Sequence, residues 1–212
     1  MRDFFVRGRY EKTLSLSIAD IIEKESSKKN IKVLDFGSGI EPTIIQMVRE
    51  HLLKKSINMT SHGYDLYEDY EIVRLNNIHK NEFYFKANEL EDAKEFYDFA
   101  IVSDVLHHMD IENEELIKNT LKIVKSKSKF LIIKDHFQYG FFSNQMIRFM
   151  DFFGNLNSNI PTPKKYYSIY KFDSLIESLK FKVRNKILSN RYHPKSFIFF
   201  NNSKYHFIYL LE

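Results

Sequence analysis

The sequence predicts one α/β domain in which a mainly parallel sheet lies between two layers of helices. Apolar strand patterns and amphipathic helix patterns alternate along the chain, and this alternation is typical of a parallel sheet wrapped by helices. A glycine-rich turn joins the first strand pattern to the next helix pattern, as in open sheets that bind nucleotides. The length of 212 residues suits a single domain, residues 1–212, with a substantial core.

The individual elements follow from the spacing of the apolar residues. Helices repeat apolar residues every three or four positions, and buried strands are short apolar runs. Residues 1–30 form an N-terminal helical cap, and residues 190–204 form the loop between the last two strands. The predicted elements are helix 14–26, strand 31–36, a helix from Thr43, a strand ending at Asp65, strand 83–90 and strand 97–109 (both with polar ends), helix 112–124, strand 130–134, helices 144–153 and 172–179, and strands 181–188 and 205–211.

The turn after the first strand has the sequence Asp-Phe-Gly-Ser-Gly at residues 35–39. Glycines let the chain turn tightly and let a ligand approach the backbone without meeting a Cβ atom. Pro42 suits the first turn of the helix that follows. This order of strand, Gly-x-Gly and helix indicates a nucleotide or nucleoside site, with a purely structural turn as the alternative.

Asp65 ends the second strand, about 26 residues after Gly39. In Rossmann-like sheets an acidic residue near this spacing accepts hydrogen bonds from ribose hydroxyls. A solvated turn aspartate is the alternative interpretation. The glycine turn and Asp65 together indicate a ribose-bearing ligand, which is either a nicotinamide or a sulfonium cofactor.

The ends of the third and fourth strands separate these two cofactors. With them, the chain resembles the class I S-adenosylmethionine-dependent methyltransferases, particularly those that modify small molecules. The family's motifs are matched by Asp35, Gly37 and Gly39 in its Asp-x-Gly-x-Gly turn, Asp65 after the second strand, Asn88 after the third, and residues 105–108 in its Val-Leu-His-His-like run.

The resemblance implies a Rossmann-like three-layer sandwich with a mostly parallel seven-stranded sheet and an antiparallel closing hairpin. It also implies an enzyme that uses S-adenosyl-L-methionine, bound at the ends of the first four strands. The implied cofactor-binding residues are Asp35, Gly37, Ser38, Gly39, Asp65, Leu66, Asn88, Glu89, Ser103 and Asp104. Arg9 and Tyr10 are candidates to fold over the cofactor.

Glu41 departs from the family pattern, which often has a small residue at this position. We expect its carboxylate to favour the N-terminus of the following helix. The alternative is that Glu41 faces the methionine ammonium group or fills the cofactor cleft. Loss of cofactor binding would make the chain a non-catalytic, methyltransferase-like interaction module.

Residues 137–170 form a long insert that is dense in phenylalanine and tyrosine. Long connections in compact domains are often lids or binding loops, and ligands of open α/β sheets bind beyond the carboxyl ends of the strands. Any single aromatic residue here is expected to pack against the sheet. As a whole, the insert is the predicted substrate lid.

Methyl transfer from a sulfonium requires alignment of the nucleophile and exclusion of water. A hydroxyl acceptor is helped by a base near neutral pKa, and histidine suits this role. We predict His136 as the catalytic base, oriented by Asp135 or a neighbouring residue, with His107 as the second choice. A structural role, with each histidine bonded to backbone, is the alternative.

A divalent metal is a less favoured interpretation of the same strand ends. Carboxylates there bind metal in catechol-type methyltransferases, and Asp104, Asp135 and His136 offer oxygen and nitrogen ligands. The matching Asp-Asn pair is absent, because position 136 is histidine. The sequence analysis therefore assigns no metal ligand.

Composition narrows the partners and the setting. The net charge is +4, but the lysines are scattered, which slightly favours an anionic substrate and disfavours nucleic-acid binding. There is no cysteine, so disulfides and thiolate nucleophiles are excluded. The chain lacks a signal-peptide pattern and an apolar run of about 18 residues. We expect a cytoplasmic, bacterial enzyme with a small-molecule substrate, no membrane and no nucleic acid, and an oligomeric state that the sequence leaves open.

Overall fold

The computed structural model confirms the predicted α/β architecture. It describes residues 2–79, 81–154, 162–188 and 205–212, without the side chains of residues 2–9, 153 and 154. The strands in these ranges form one seven-stranded sheet. The elements are α1 (Arg2–Glu25), β1 (Asn30–Phe36), α2 (Thr43–Lys54), β2 (Asn58–Asp65), α3 (Asp69–Ile78), β3 (Glu82–Lys86), β4 (Tyr97–Ser103), α4 (Glu114–Ser126), β5 (Ser128–His136), α5 (Phe141–Gly154), α6 (Ile169–Ser178), β6 (Val183–Ile187) and β7 (His206–Leu211).

The sheet has the strand order β3-β2-β1-β4-β5-β7-β6. The first five strands in this order pair in parallel, whereas β7 is antiparallel to both β5 and β6. The implied antiparallel hairpin is therefore confirmed. Its predicted connecting loop, 190–204, lies outside the described residues.

Alternate residues of the central strands pack against different helix layers. Phe99 and Ile101 of β4 lie in the cluster that contains the buried faces of α1 and α2. Ala100 and Val102 lie in the cluster that contains those of α4 and α6. Because side chains alternate across a strand, the run is apolar without a break and is buried on both faces.

The structure corrects several predicted boundaries. Helix α1 begins at Arg2 rather than at residue 14, because the apolar spacing marked only the part that packs against the sheet. Short 3₁₀ turns, 87–89 and 106–108, follow β3 and β4 where the sequence predicted continuing strands. Helix α3, which we did not predict, buries only Leu75, so its apolar pattern is weak.

The predicted lid region contains a helix, as the spacing at 144–153 indicated. Helix α5 covers Phe141–Gly154, and Arg148 Nε donates to the carbonyl oxygen of Pro163 at 3.1 Å. The Tyr166 backbone N–H donates to Asn144 Oδ1 at 3.3 Å. These bonds join α5 to the segment that leads into α6. Within the described residues, no helix combines the length and apolarity that crossing a bilayer requires.

Candidate cofactor and acceptor site

The two glycines of the turn after β1 have different surroundings. Both have positive φ, +77° at Gly37 and +68° at Gly39, where other residues are strained. A Cβ atom at Gly37 would overlap the side chain of Val105, whereas one at Gly39 would meet nothing within 4 Å. Gly37 is thus required by packing, and Gly39 borders open space that a ligand can enter.

Asp65 anchors this turn. Its Oδ2 accepts a hydrogen bond from the Gly39 N–H at 2.7 Å, and its Oδ1 accepts one from the Leu66 N–H at 2.6 Å. The Tyr67 hydroxyl lies 2.5 Å from Ser38 Oγ and 2.7 Å from the Gly39 carbonyl oxygen. A carboxylate has about four acceptor positions, so Asp65 retains capacity for ribose hydroxyls. The sequence analysis did not identify Tyr67.

Asp35 is the buried acid of the site, with an exposed fraction of 8%. Burial, together with the nearby charge of Asp65, raises the pKa of the Asp35 carboxyl group to about 7. Its position is fixed by β1, which pairs with β2 through Asp35 and Gly63. Asp35 is therefore a carboxyl group that titrates near neutral pH beside the glycine turn.

The remaining predicted cofactor residues lie along the same edge of the sheet. Asn88 and Glu89 are exposed in the 3₁₀ turn after β3, and Leu66 is 89% exposed after β2. Ser103 is the last residue of β4, and Asp104 comes directly after it. Because these strands are parallel, their carboxyl ends meet at one edge, and the structure places all ten predicted residues there.

Glu41 is exposed and directly precedes Pro42, the N-cap residue of α2. Its carbonyl oxygen accepts a hydrogen bond from the Thr43 N–H at 2.8 Å. This places Glu41 one residue before the N-cap of the helix, for which no side-chain capping hydrogen bond is seen among the described residues. The role of its carboxylate stays a prediction.

A buried lysine holds the turn after β4 to the N-terminal helix. The Lys134 side chain is fully buried, and its ammonium group contacts Asp104 Oδ1 and the Tyr10 hydroxyl. The Tyr10 hydroxyl also donates to Asp104 Oδ2 at 2.7 Å. Burial opposes ionisation of Asp104, but the charges of Lys134, His136 and His107 together outweigh burial, and the pKa of Asp104 is lowered. Tyr10 thus contacts two residues at the ends of β4 and β5, and its predicted contact with the cofactor stays a prediction. Arg9 lies among the residues without described side chains.

Asp135 pairs with His107. The distance from His107 Nδ1 to Asp135 Oδ1 is 2.6 Å, and both side chains are buried. The sequence analysis expected Asp135 to orient the ring of His136. Instead Asp135 accepts the backbone N–H of His136 at 2.7 Å, and the His136 Nδ1 lies 3.7 Å away. This exchange of partners arises because the 3₁₀ turn 106–108 brings His107 over the end of β5.

The electrostatics follow from this pairing. Burial lowers the pKa of His107, but the charge and hydrogen bond of Asp135 outweigh burial, so the pKa is raised. Burial raises the pKa of Asp135, but the charges and hydrogen bonds of His107 and His136 together outweigh burial, and the pKa falls well below its usual value. The pair therefore favours an imidazolium beside a carboxylate.

The lid contributes a second carboxylate to His107. Asp151 of α5 lies with Oδ2 at 3.6 Å from His107 Nε2, and it accepts a hydrogen bond from the Tyr166 hydroxyl. His206 of β7 packs on His136 with ring centroids 4.6 Å apart. The sequence analysis singled out neither Asp151 nor His206. Asp151 is the single acidic residue of the phenylalanine-rich helix α5, and this isolation could have marked it as a site residue. No comparable sequence feature marks His206.

Together these features define a class of protein. An open, mostly parallel sheet with a glycine turn and acidic strand ends at one edge is a Rossmann-like domain that binds a nucleoside-containing cofactor. The open space at Gly39 and the acceptor capacity of Asp65 fit such a ligand. Polar groups at the ends of β4 and β5 provide the adjoining site for a second reactant.

A profile of the methyltransferase domain family matches residues 10–185. The chain belongs to this family. This membership confirms the predicted class of enzyme, an S-adenosylmethionine-dependent methyltransferase, and its cofactor, and it does not support the non-catalytic alternative.

Solved structures support the fold. The magnesium protoporphyrin IX methyltransferase of Synechocystis PCC 6803, with bound SAH, has 15% identity and a TM-score of 0.61, and the match covers 99% of this chain and 85% of that one. An O-methyltransferase family 2 protein of Planctomyces limnophilus, in complex with apigenin, has 16% identity and a TM-score of 0.61 over 100% and 58%. A 1,6-didemethyltoxoflavin-N1-methyltransferase of Burkholderia thailandensis has 12% identity and a TM-score of 0.60 over 94% and 78%. Comparison with curated protein sequences finds no match.

Proposed function

We propose that this protein transfers a methyl group from S-adenosyl-L-methionine to an oxygen atom of a small molecule. A sugar, a glycan precursor or a secondary metabolite is the acceptor class we favour. The observation that carries the oxygen assignment is the buried His107–Asp135 pair, with 2.6 Å between Nδ1 and Oδ1. Structurally similar enzymes include N-methyltransferases as well as O-methyltransferases. Our choice of oxygen as the acceptor atom therefore rests on this pair and not on the similar structures.

In this proposal the cofactor-binding residues hold the cofactor and take no part in breaking or forming bonds. Gly39 leaves space beside the backbone, and Asp65 is positioned by two backbone N–H groups to accept ribose hydroxyls. S-Adenosylmethionine supplies an activated methyl group on its sulfonium. Asp104, at the end of β4, is held ionised by Lys134 and is our candidate for a favourable contact with that positive charge.

The base in this proposal is His107, with His136 as the second candidate. The base form is the neutral ring, in which Asp135 holds the Nδ1–H and Nε2 can take the proton of a hydroxyl. Because the pKa of His107 is raised, this form gains population as pH rises. His107 Nε2 faces Asp151 of α5, so the acceptor has to displace this carboxylate from the ring. Asp135 orients the imidazole and stabilises the imidazolium that forms.

The lid role of residues 137–170 is supported by the contacts of α5. Asp151 and Tyr166 converge on His107 from two parts of this insert, and the His107 and Tyr166 ring centroids lie 5.6 Å apart. Closure of such a segment over the reactants excludes water. We retain the cytoplasmic, bacterial setting and the absence of nucleic-acid partners as proposals on the sequence grounds given above.

The first test is calorimetric titration of the purified protein with S-adenosylhomocysteine, with NADH as the control. We expect micromolar affinity, about −8 kcal/mol, for the former and no heat from the latter. Binding of NADH alone, or of neither compound, would contradict the cofactor assignment.

The second test addresses the acceptor atom. Phenols and sugars are compared with the corresponding amines in an assay that measures release of S-adenosylhomocysteine in the presence of EDTA. We expect turnover of hydroxyl compounds that is lost in His107→Gln and retained in the control variant His51→Gln, since His51 lies in α2. Turnover of the amines alone would refute oxygen as the acceptor.

A further inference from the structure

Four side chains at the ends of β4 and β5 converge on one point. Asp104, His107, Asp135 and His136 each present one nitrogen or oxygen atom, and these four atoms lie within 4.8 Å of one another. Three of the residues are buried, and the Asp104 side chain is 26% exposed. The cluster thus has a polar interior and one side open to solvent.

His136 gives an independent indication of a ligand. It is 8% exposed, and its Nδ1 is buried without a hydrogen-bond partner among the described residues. This nitrogen lies 3.4 Å from Asp104 Oδ1 and 3.7 Å from Asp135 Oδ1. Buried polar atoms are normally satisfied, so an unpaired nitrogen facing two carboxylates calls for a binding partner.

The distances suit a shared ion better than hydrogen bonds. Ligand atoms at about 2 Å from one zinc ion in a tetrahedral site are separated by about 3.3 Å. The separations of 3.4 and 3.7 Å around His136 Nδ1 are near this value. The pair of His107 and Asp135, at 2.6 Å, has to open when its shared proton is replaced, and any separation near the upper bound of 4.8 Å has to contract around the ion.

We propose that these four residues form a binding site for a divalent transition-metal cation such as Zn²⁺ or Co²⁺. Two imidazoles with two carboxylates favour such ions over Mg²⁺ and Ca²⁺, which prefer oxygen ligands. The Lys134 ammonium offsets the charge of Asp104, and the ion takes the place of the proton between His107 and Asp135, so two carboxylates then face one ammonium and the ion. The site contains His107 in addition to Asp104, Asp135 and His136, the three residues whose sequence positions suggested a less favoured metal site. It replaces the prediction that the chain has no metal ligand.

An ion here would inhibit the chemistry proposed above, and this consequence rests on that proposal. A cation on Nδ1 of His107 leaves the ring proton on Nε2, so the imidazole has no lone pair left to accept the acceptor's proton. The ion also engages Asp135. The cation site is therefore an inhibitory site built into the acceptor end of the sheet.

The test is titration of EDTA-treated, desalted protein with Co²⁺, monitored by visible absorption, followed by displacement with Zn²⁺. We expect one ion per chain, and a loss of affinity larger than roughly tenfold in His136→Ala and in Asp104→Asn. His51→Ala is the matched control and should bind like the wild type. Circular dichroism and thermal unfolding verify that each variant is folded.

Absence of one-to-one binding in the micromolar range, or binding unchanged in both folded variants, would overturn the cation site. Inhibition of methyl transfer is measured separately at the same Zn²⁺ concentrations. Binding of the ion with full retained activity would support the site and count against His107 as the base. Failure to bind S-adenosylhomocysteine would refute the proposed function without affecting the ion titration.

Discussion

The cofactor end and the acceptor end of this sheet are built in different ways. At the cofactor end, two side chains that follow one another closely after β2 hold backbone groups of the glycine turn: Asp65 accepts the Gly39 N–H, and the Tyr67 hydroxyl donates to the Gly39 carbonyl oxygen. At the acceptor end, side chains from distant segments meet. Tyr10 and Lys134 are separated by 124 residues, and Tyr10 and Asp104 by 94. Local backbone geometry therefore creates one site, and tertiary packing creates the other.

This difference predicts distinct consequences of mutation at the two ends. Substitutions at the acceptor end should act on turnover and on the buried charge network. Substitutions at the cofactor end should act on the turn itself and on binding of the nucleoside. The four predictions below compare the two ends, beginning with the largest expected effect.

The largest effect is expected on turnover. His107→Gln should lower kcat by about 10²- to 10⁴-fold, the usual contribution of a general base, because the His107 ring nitrogen lies 2.6 Å from Asp135, against 3.7 Å for that of His136. His136→Gln should have a smaller effect. Steady-state kinetics in EDTA measures both, and a larger loss of kcat in His136→Gln would restore the assignment that the sequence favoured.

Removal of the buried ammonium should destabilise the fold. Lys134→Met leaves the Asp104 carboxylate without its main partner, and breaking a buried ion pair on one side costs about 3 kcal/mol. We take the lower end of the known range because Asp104 is 26% exposed. Urea unfolding measures this change.

The double variant Lys134→Met with Asp104→Asn is the control, since it removes both charges and should recover much of the free energy of unfolding. Additive losses in the double variant would show that the ion pair does not account for the destabilisation. Both variants can be compared by titration with S-adenosylhomocysteine.

At the cofactor end, the two glycines should respond differently. Gly37→Ala should cost about 2 to 3 kcal/mol of stability, because positive φ is strained and the new Cβ overlaps Val105. Gly39→Ala should cost about 1 kcal/mol but weaken binding of S-adenosylhomocysteine, since its Cβ enters open space. Thermal unfolding and calorimetry separate the effects, and unchanged binding in Gly39→Ala would contradict the placement of the ligand.

The most gradual effect is expected from Asp35, as a slope of the free energy of unfolding with pH. The pKa of Asp35 in the folded state is about 7, against 3.8 for the free side chain, so between these values the folded state holds a proton that the unfolded state has released. The free energy of unfolding should therefore fall as pH rises from about 4 to 7, by up to roughly 1.4 kcal/mol per pH unit. The charge of Asp65 adds to this shift, and Asp35 in turn contributes, after burial, to the raised pKa values of Tyr67 and Tyr84.

Asp35→Asn removes the titrating group and is the control for this slope. Its free energy of unfolding, from urea denaturation at several pH values, should lack the Asp35 contribution to the decline. An equal slope in the variant and the wild type would show that another group is responsible.

The parts of the site that could be predicted from sequence are those that local chemistry determines. Asp35, Gly37 and Gly39 follow one strand without interruption, so their proximity requires no knowledge of the fold. Asp65 needed only the assumption that β1 and β2 are parallel neighbours, which the pairing of Asp35 with Gly63 satisfies. Family membership then confirmed the enzyme class and the cofactor.

The acceptor end depended on information that no local pattern contains. The sequence placed Asp135 beside His136 along the chain, but in a strand adjacent side chains point to opposite faces, and His107 takes the carboxylate. Asp151 and His206 enter through α5 and β7, whose positions are set by packing of the insert and by the antiparallel hairpin. Backbone periodicity and glycine chemistry were sufficient for the fold and the cofactor turn. The partners of each buried charge were decided by long-range packing, because hydrogen bonds between distant segments depend on where the sheet and helices bring them together.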